Sequence, residues 1–153
     1  MRIFLASLLL LVASTTGGAA QQSDPLQPEA ILETGELMVM VIRPAYAELQ
    51  QMMAKSPSDR QQWALLYQKA ARLAEFENLI LFRPHERAAT AEWKGLAASA
   101  RRATSALATT VLVGLQSPQA EDFAKVRKNY EAIAGSCNAC HRAMSREAPT
   151  IRP

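Results

Sequence analysis

The sequence predicts an all-α fold, an antiparallel bundle of four helices. Three observations carry that expectation. Apolar residues recur at three- and four-residue spacing through four long stretches. Runs with strand alternation are few, and β-branched residues are sparse. Most of the eight prolines fall at the borders of the helical stretches, and short connections between helices favour antiparallel neighbours.

The chain opens on what reads as an export leader, residues 1–20. Arg2 supplies a positive start, Ile3 to Ala13 are apolar apart from Ser7, and Gly18-Ala19-Ala20 forms a small-x-small cleavage site, so Gln21 is the expected mature N-terminus. The apolar run is about half of the roughly 20 residues a spanning helix needs, and no later segment is long and uncharged enough to span. No cysteine near the cleavage site offers a lipid anchor. Residues 21–153 form one domain of usual size.

The first helix is expected from about Pro28 to Lys55, with Ile31, Met38, Ala45 and Met52 on one line and Val41, Ile42 and Leu49 beside it. Pro44 lies inside it, removes the bond to the Met40 carbonyl and is expected to kink the helix. Ser56-Pro57 reads as an N-cap with proline at the first helical position. It opens a second helix to about Phe82 with Trp63, Leu66, Ala70, Leu73 and Ile80 inward. Asn78 in that helix needs a hydrogen-bond partner if it is buried. Arg83-Pro84-His85 breaks the chain, and His85 is expected on a surface loop. A third helix from about Arg87 to Leu115 carries Trp93, Leu96, Ala100, Ala103, Leu107, Val111 and Gly114. Its small residues admit a close neighbour or a flat cofactor. Ser117-Pro118 repeats the cap signal. The fourth helix then runs to about Ser145 with Phe123, Val126, Tyr130, Ile133, Cys137, His141 and Met144 on its buried face.

Charge excludes one class of partner. The chain has 17 basic and 14 acidic residues, and loss of Arg2 with the leader leaves 16 − 14 = +2. The basic residues are scattered and no aromatic-basic cluster occurs, so no nucleic acid is expected.

Both cysteines lie in Cys137-Asn138-Ala139-Cys140-His141. Cys-x-x-Cys-His is the attachment signature of a c-type haem: two thiols add to the vinyl groups and the adjoining imidazole takes the iron. The three residues stand at i, i+3 and i+4, which share one helical face. Rival readings fit less well. A thioredoxin-like pair follows a strand in a βαβ setting. A zinc site wants a fourth ligand, and His85 is the only other histidine. A disulfide closing so short a loop would constrain the unfolded chain little.

The run Tyr130-Glu-Ala-Ile133-Ala-Gly-Ser-Cys137-Asn-Ala-Cys140-His141 resembles the last helix of the cytochrome c-prime family, the class II c-type cytochromes. An aromatic stands seven before the first cysteine and an aliphatic four before it. The resemblance implies a four-helix bundle with one covalent haem c on Cys137 and Cys140, and His141 as proximal iron ligand. It further implies a distal residue from the first helix, either a methionine or an apolar side chain that leaves the iron open. Three positions depart from the family pattern. Met144 and Ser145 stand where an aromatic and a basic residue usually follow the motif, with Arg142 and Arg146 nearby. Thr34 stands where an arginine often reaches a propionate, leaving Arg83, Arg87, Arg101 and Arg102 as candidates. Met38 lies on the inward stripe, whereas Met40 shares a face with Glu36, Pro44 and Gln51; Met38 is the expected distal ligand. The Leu37–Arg43 run before Pro44 is similar to the methionine-then-proline helix of one branch of that family. The function implied is periplasmic electron transfer with a redox partner protein, by a monomer or homodimer that is not an enzyme. The alternative is five-coordinate iron that binds nitric oxide or carbon monoxide as a scavenger or sensor.

Overall fold

The computed structural model describes residues 30–83, 90–117, 120–145 and 147–153. The expected leader, His85, Arg87, Pro118 and Arg146 lie outside these. The described chain is all-helical, with four helices and no strand among the described residues. None of its helices is long and apolar enough to cross a membrane.

The first helix is a composite of α1 (Thr34–Leu37), a π-helical turn (Met38–Ile42) and α2 (Arg43–Met53). Its start is fixed by the Glu33 N–H donating to the Glu36 carboxylate at 2.9 Å, which satisfies a backbone donor that has no intrahelical partner. Pro44 explains the π turn. It brings no N–H to the Met40 carbonyl and its ring crowds that oxygen. The chain takes up one extra residue instead, and the Arg43 N–H bonds the Met38 carbonyl five residues back. The insertion resets the inward stripe. Leu37 and Ile42 are buried five residues apart, then Ala45, Leu49 and Met53 follow at α-helical spacing. This corrects the expected line through Ile31 and Met52. Ile31 precedes the helix and is 93% exposed, while Met38, Val41 and Met52 pack half-buried against the core.

α3 (Arg60–Leu81) starts later than Ser56-Pro57 suggests. Asp59 is the cap: its carboxylate accepts the Gln62 N–H at 2.8 Å, and the Gln62 side chain accepts the Ser58 N–H at 3.1 Å. A charged acceptor with a reciprocal partner three residues on outcompetes a lone serine hydroxyl. Trp63, Leu66, Ala70, Leu73 and Ile80 are buried as the spacing predicts, and Glu77 is buried with them. Asn78, half-buried, donates to Glu75 at 3.2 Å. Glu48 of α2 takes Lys69 Nζ at 2.6 Å and the Arg72 guanidinium, tying α2 to α3.

α4 (Ala91–Gln116) is capped by Thr90, whose hydroxyl accepts the Trp93 N–H at 3.2 Å. Ala97 and Thr104 are buried in place of the expected Leu96 and Ala103, which are half-buried. The Thr104 hydroxyl donates to the Ala100 and Arg101 carbonyls at 3.2 and 3.0 Å, which lets it lie in the core. At Gly114 the Trp63 ring lies so close that a Cβ would stand 2.4 Å from it. α5 (Ala120–Met144) buries Phe123, Val126, Tyr130 and Ile133. α3 packs along α4, α4 along α5 and α2 on α3. Between α2 and α5, Tyr46 stacks on Tyr130 with ring centroids 5.4 Å apart, and Arg127 donates to the Met53 carbonyl at 3.5 Å.

Candidate functional site

The last turns of α5 hold Cys137, Cys140 and His141, all half-buried, on one side of the helix. Both cysteines are free thiols. Burial pushes the Cys137 thiol up to about 12, and the Glu77 carboxyl and then Cys140 add to that effect. Burial and then Glu77 raise Cys140 as well. Both groups are therefore held as neutral thiols near neutral pH. Among the described residues no cluster of three or more His, Cys, Asp or Glu side chains could hold a metal ion.

Glu77 of α3 approaches the two thiols from across the core. It is 2% exposed and its Oε2 has no hydrogen-bond partner. Burial alone raises its carboxyl from 4.5 to about 7. The apolar pattern passes over Glu77, because it runs from Leu73 directly to Ile80. The seven-residue spacing of Glu77 from Ala70 is the signal that could have found it.

His141 is oriented from the other side. Its Nδ1 lies 2.8 Å from the Pro149 carbonyl oxygen. A carbonyl can only accept, so Nδ1–H is the donor, and in the neutral ring this tautomer leaves the lone pair on Nε2. The chain turns back after α5, with the Ser145 N–H on the His141 carbonyl at 2.9 Å and the Ala148 N–H on the Ser145 carbonyl at 3.2 Å. The Asn138 side-chain amide then donates to the Ile151 carbonyl and accepts the Ile151 N–H, both at 2.8 Å. The Arg152 carbonyl accepts from the Tyr46 hydroxyl at 2.9 Å and from Gln50 at 3.4 Å. A groove of about 440 Å³ beside His141 is lined by Asn138, Arg142, Ser145, Ala148, Pro149 and Thr150. Nothing in the short Pro149–Pro153 run signals these contacts in the sequence.

Met38 packs half-buried against the same core cluster as Cys137 and Met144, whereas Met40 is 63% exposed. Of the candidate arginines, Arg83 is buried and its guanidinium donates to the Leu32 carbonyl. Arg101 and Arg102 are exposed on α4 and Thr34 is half-buried.

The donor set matches the needs of a covalent haem: two neutral thiols on one helical face and an adjacent imidazole offering Nε2. The unpartnered Glu77 oxygen marks a buried polar group that no protein atom satisfies. Searches of family models, of curated proteins and of solved structures return no match for this chain.

Proposed function

We propose that the protein is an exported c-type cytochrome that carries one haem c on Cys137 and Cys140 and transfers electrons to a periplasmic partner protein. The observation that carries this reading is the His141 imidazole, fixed by the Pro149 carbonyl in the tautomer that presents Nε2 to a metal, one residue beyond a free thiol pair. When bound, the haem supplies one-electron exchange at its iron. The residues of the chain anchor it, orient it and exclude water. Dithiol redox catalysis is the poorer reading, because that chemistry needs a thiolate of lowered pKa and burial here moves both thiols the other way.

Two contacts support an antiparallel pairing of the first helix with α5 and, through it, Met38 as distal ligand. Tyr46 meets Tyr130, and Met53 meets Arg127, so advancing along one helix retreats along the other. Met38 lies eight residues before Tyr46, one of them the residue that the π turn inserts, so the travel is about 10 Å at 1.5 Å per residue. Equal travel along α5 from Tyr130 reaches the level of Cys137, and the Met53–Arg127 register reaches that of His141. The Cys137–His141 run spans those levels. A Met38 thioether there would complete the iron's coordination and favour the reduced state.

Protein made with a haem-attachment system is expected to keep its colour through acid–acetone extraction. The oxidised protein should show the weak far-red band of methionine–iron bonding. Met38→Ala should abolish that band, lower the reduction potential and admit carbon monoxide to the ferrous iron; Met40→Ala should do none of these. An unmodified protein that is high-spin and binds carbon monoxide at once would replace the carrier with a gas-binding protein.

A further inference from the structure

We propose that residues 149–153 act as a positioning strap for His141, with the Pro149 carbonyl setting the tautomer and donor strength of the imidazole and Asn138 holding the strap in register. The proposal rests on the reading of His141 as an iron ligand. Three separate contacts build the strap. Pro149 meets His141, Ile151 is gripped by both the donor and the acceptor of the Asn138 amide, and Arg152 is held from the first helix by Tyr46 and Gln50. Prolines at both ends stiffen it, since each fixes its own φ and pushes the preceding residue towards an extended conformation.

The register is set by Asn138 rather than by chance contact. A side-chain amide that both donates to and accepts from one backbone residue mimics a rung of sheet, so a one-residue slip would break both 2.8 Å bonds together. With Ile151 fixed, the carbonyl two residues earlier is delivered to Nδ1. Asn138 occupies the first variable position of Cys-x-x-Cys-His, and here that position has a task of its own. A carbonyl on Nδ1–H raises the electron-donating power of Nε2, which favours ferric over ferrous iron.

The test uses the full chain, a chain ending at Ala148, and Asn138→Ala, each with and without haem. In haem-free protein, nitrogen-15 spectra of His141 should show the Nδ1–H tautomer in the full chain and a mixture of both tautomers in the shortened one. In haem-loaded protein, shortening should raise the reduction potential by about a tenfold change in the ferric–ferrous equilibrium, ~59 mV for one electron. Asn138→Ala should shift both the tautomer mixture and the potential part of the way. An unchanged tautomer in the shortened or Asn138→Ala chain, or an unchanged potential in either, would overturn the strap. A full chain that takes up no covalent haem would instead overturn the cytochrome reading, while the haem-free spectra would still decide the strap.

Discussion

Glu77 sets a carboxyl in the interior of α3 with one oxygen unpartnered, and its ionisation must be linked to folding. Burial raises it from 4.5 to about 7. Below pH 4.5 both folded and unfolded chains hold the proton and no linkage acts. Between there and pH 7 the unfolded chain releases a proton that the folded chain keeps, so stability falls as pH rises; above pH 7 the loss is complete. Each pH unit crossed in that window removes about 1.4 kcal/mol, so the whole loss is on the order of 3 kcal/mol. Urea unfolding of haem-free protein at pH 5 and pH 8 should show that decline, and Glu77→Gln should remove it. An equal decline in both proteins would place its source elsewhere. At this scale the sequence exposed the groups of a contiguous motif, because Cys137, Cys140 and His141 are neighbours on one helical face. It also separated the half-buried Met38 from the exposed Met40. It hid Asn138 and Pro149, whose partners depend on a turn that no local pattern encodes.

Single elements show how local chemistry and packing share control of a helix. In α4, two glycines occupy opposite environments: an added Cβ at Gly95 meets nothing within 4 Å, while one at Gly114 would stand 2.4 and 2.6 Å from the rigid Trp63 ring. Gly95→Ala should stabilise the protein by about 0.5–1 kcal/mol through helix propensity alone. Gly114→Ala gains the same propensity but forces the indole aside, at a typical overpacking cost of about 1–3 kcal/mol, and should lower the melting temperature. Thermal unfolding of the two variants side by side checks the pair; a stabilised Gly114→Ala would mean that Trp63 can shift freely. Periodicity locates all four helices, since each must bury one face. Their starts are less legible, because Ser56-Pro57 and Asp59-x-x-Gln62 both carry cap chemistry and the reciprocal pair prevails. In the first helix Pro44 alone predicts that the Met40 carbonyl loses its bond. The response, a π turn that rephases Leu37 against Ile42, depends on which residues the core can accept.

The four helices share one core to which Leu49, Leu66, Leu107 and Ile133 each contribute a fully buried side chain. Apolar residues at three- and four-residue spacing through four stretches made the helices legible, whereas the acidic member of the stripe at Glu77 did not announce itself. A haem fixed to α5 would add apolar area to this core, so Cys137→Ala with Cys140→Ala should melt lower and less cooperatively than loaded protein. An unchanged melting curve would put the cofactor outside the core. The buried indoles offer a way to watch that transition. Trp63 and Trp93 are the only tryptophans of the chain, both lie in the interior, and they belong to the two neighbouring helices α3 and α4. Haem absorbs in the region where indole emits, and energy transfer between them falls steeply with distance. The loaded protein should therefore be nearly dark, brighten as the chain expands, and darken again on refolding, while the doubly substituted protein should glow throughout. The two indoles would thus give a loaded protein its own fluorescent gauge of folding and haem content, with no label added.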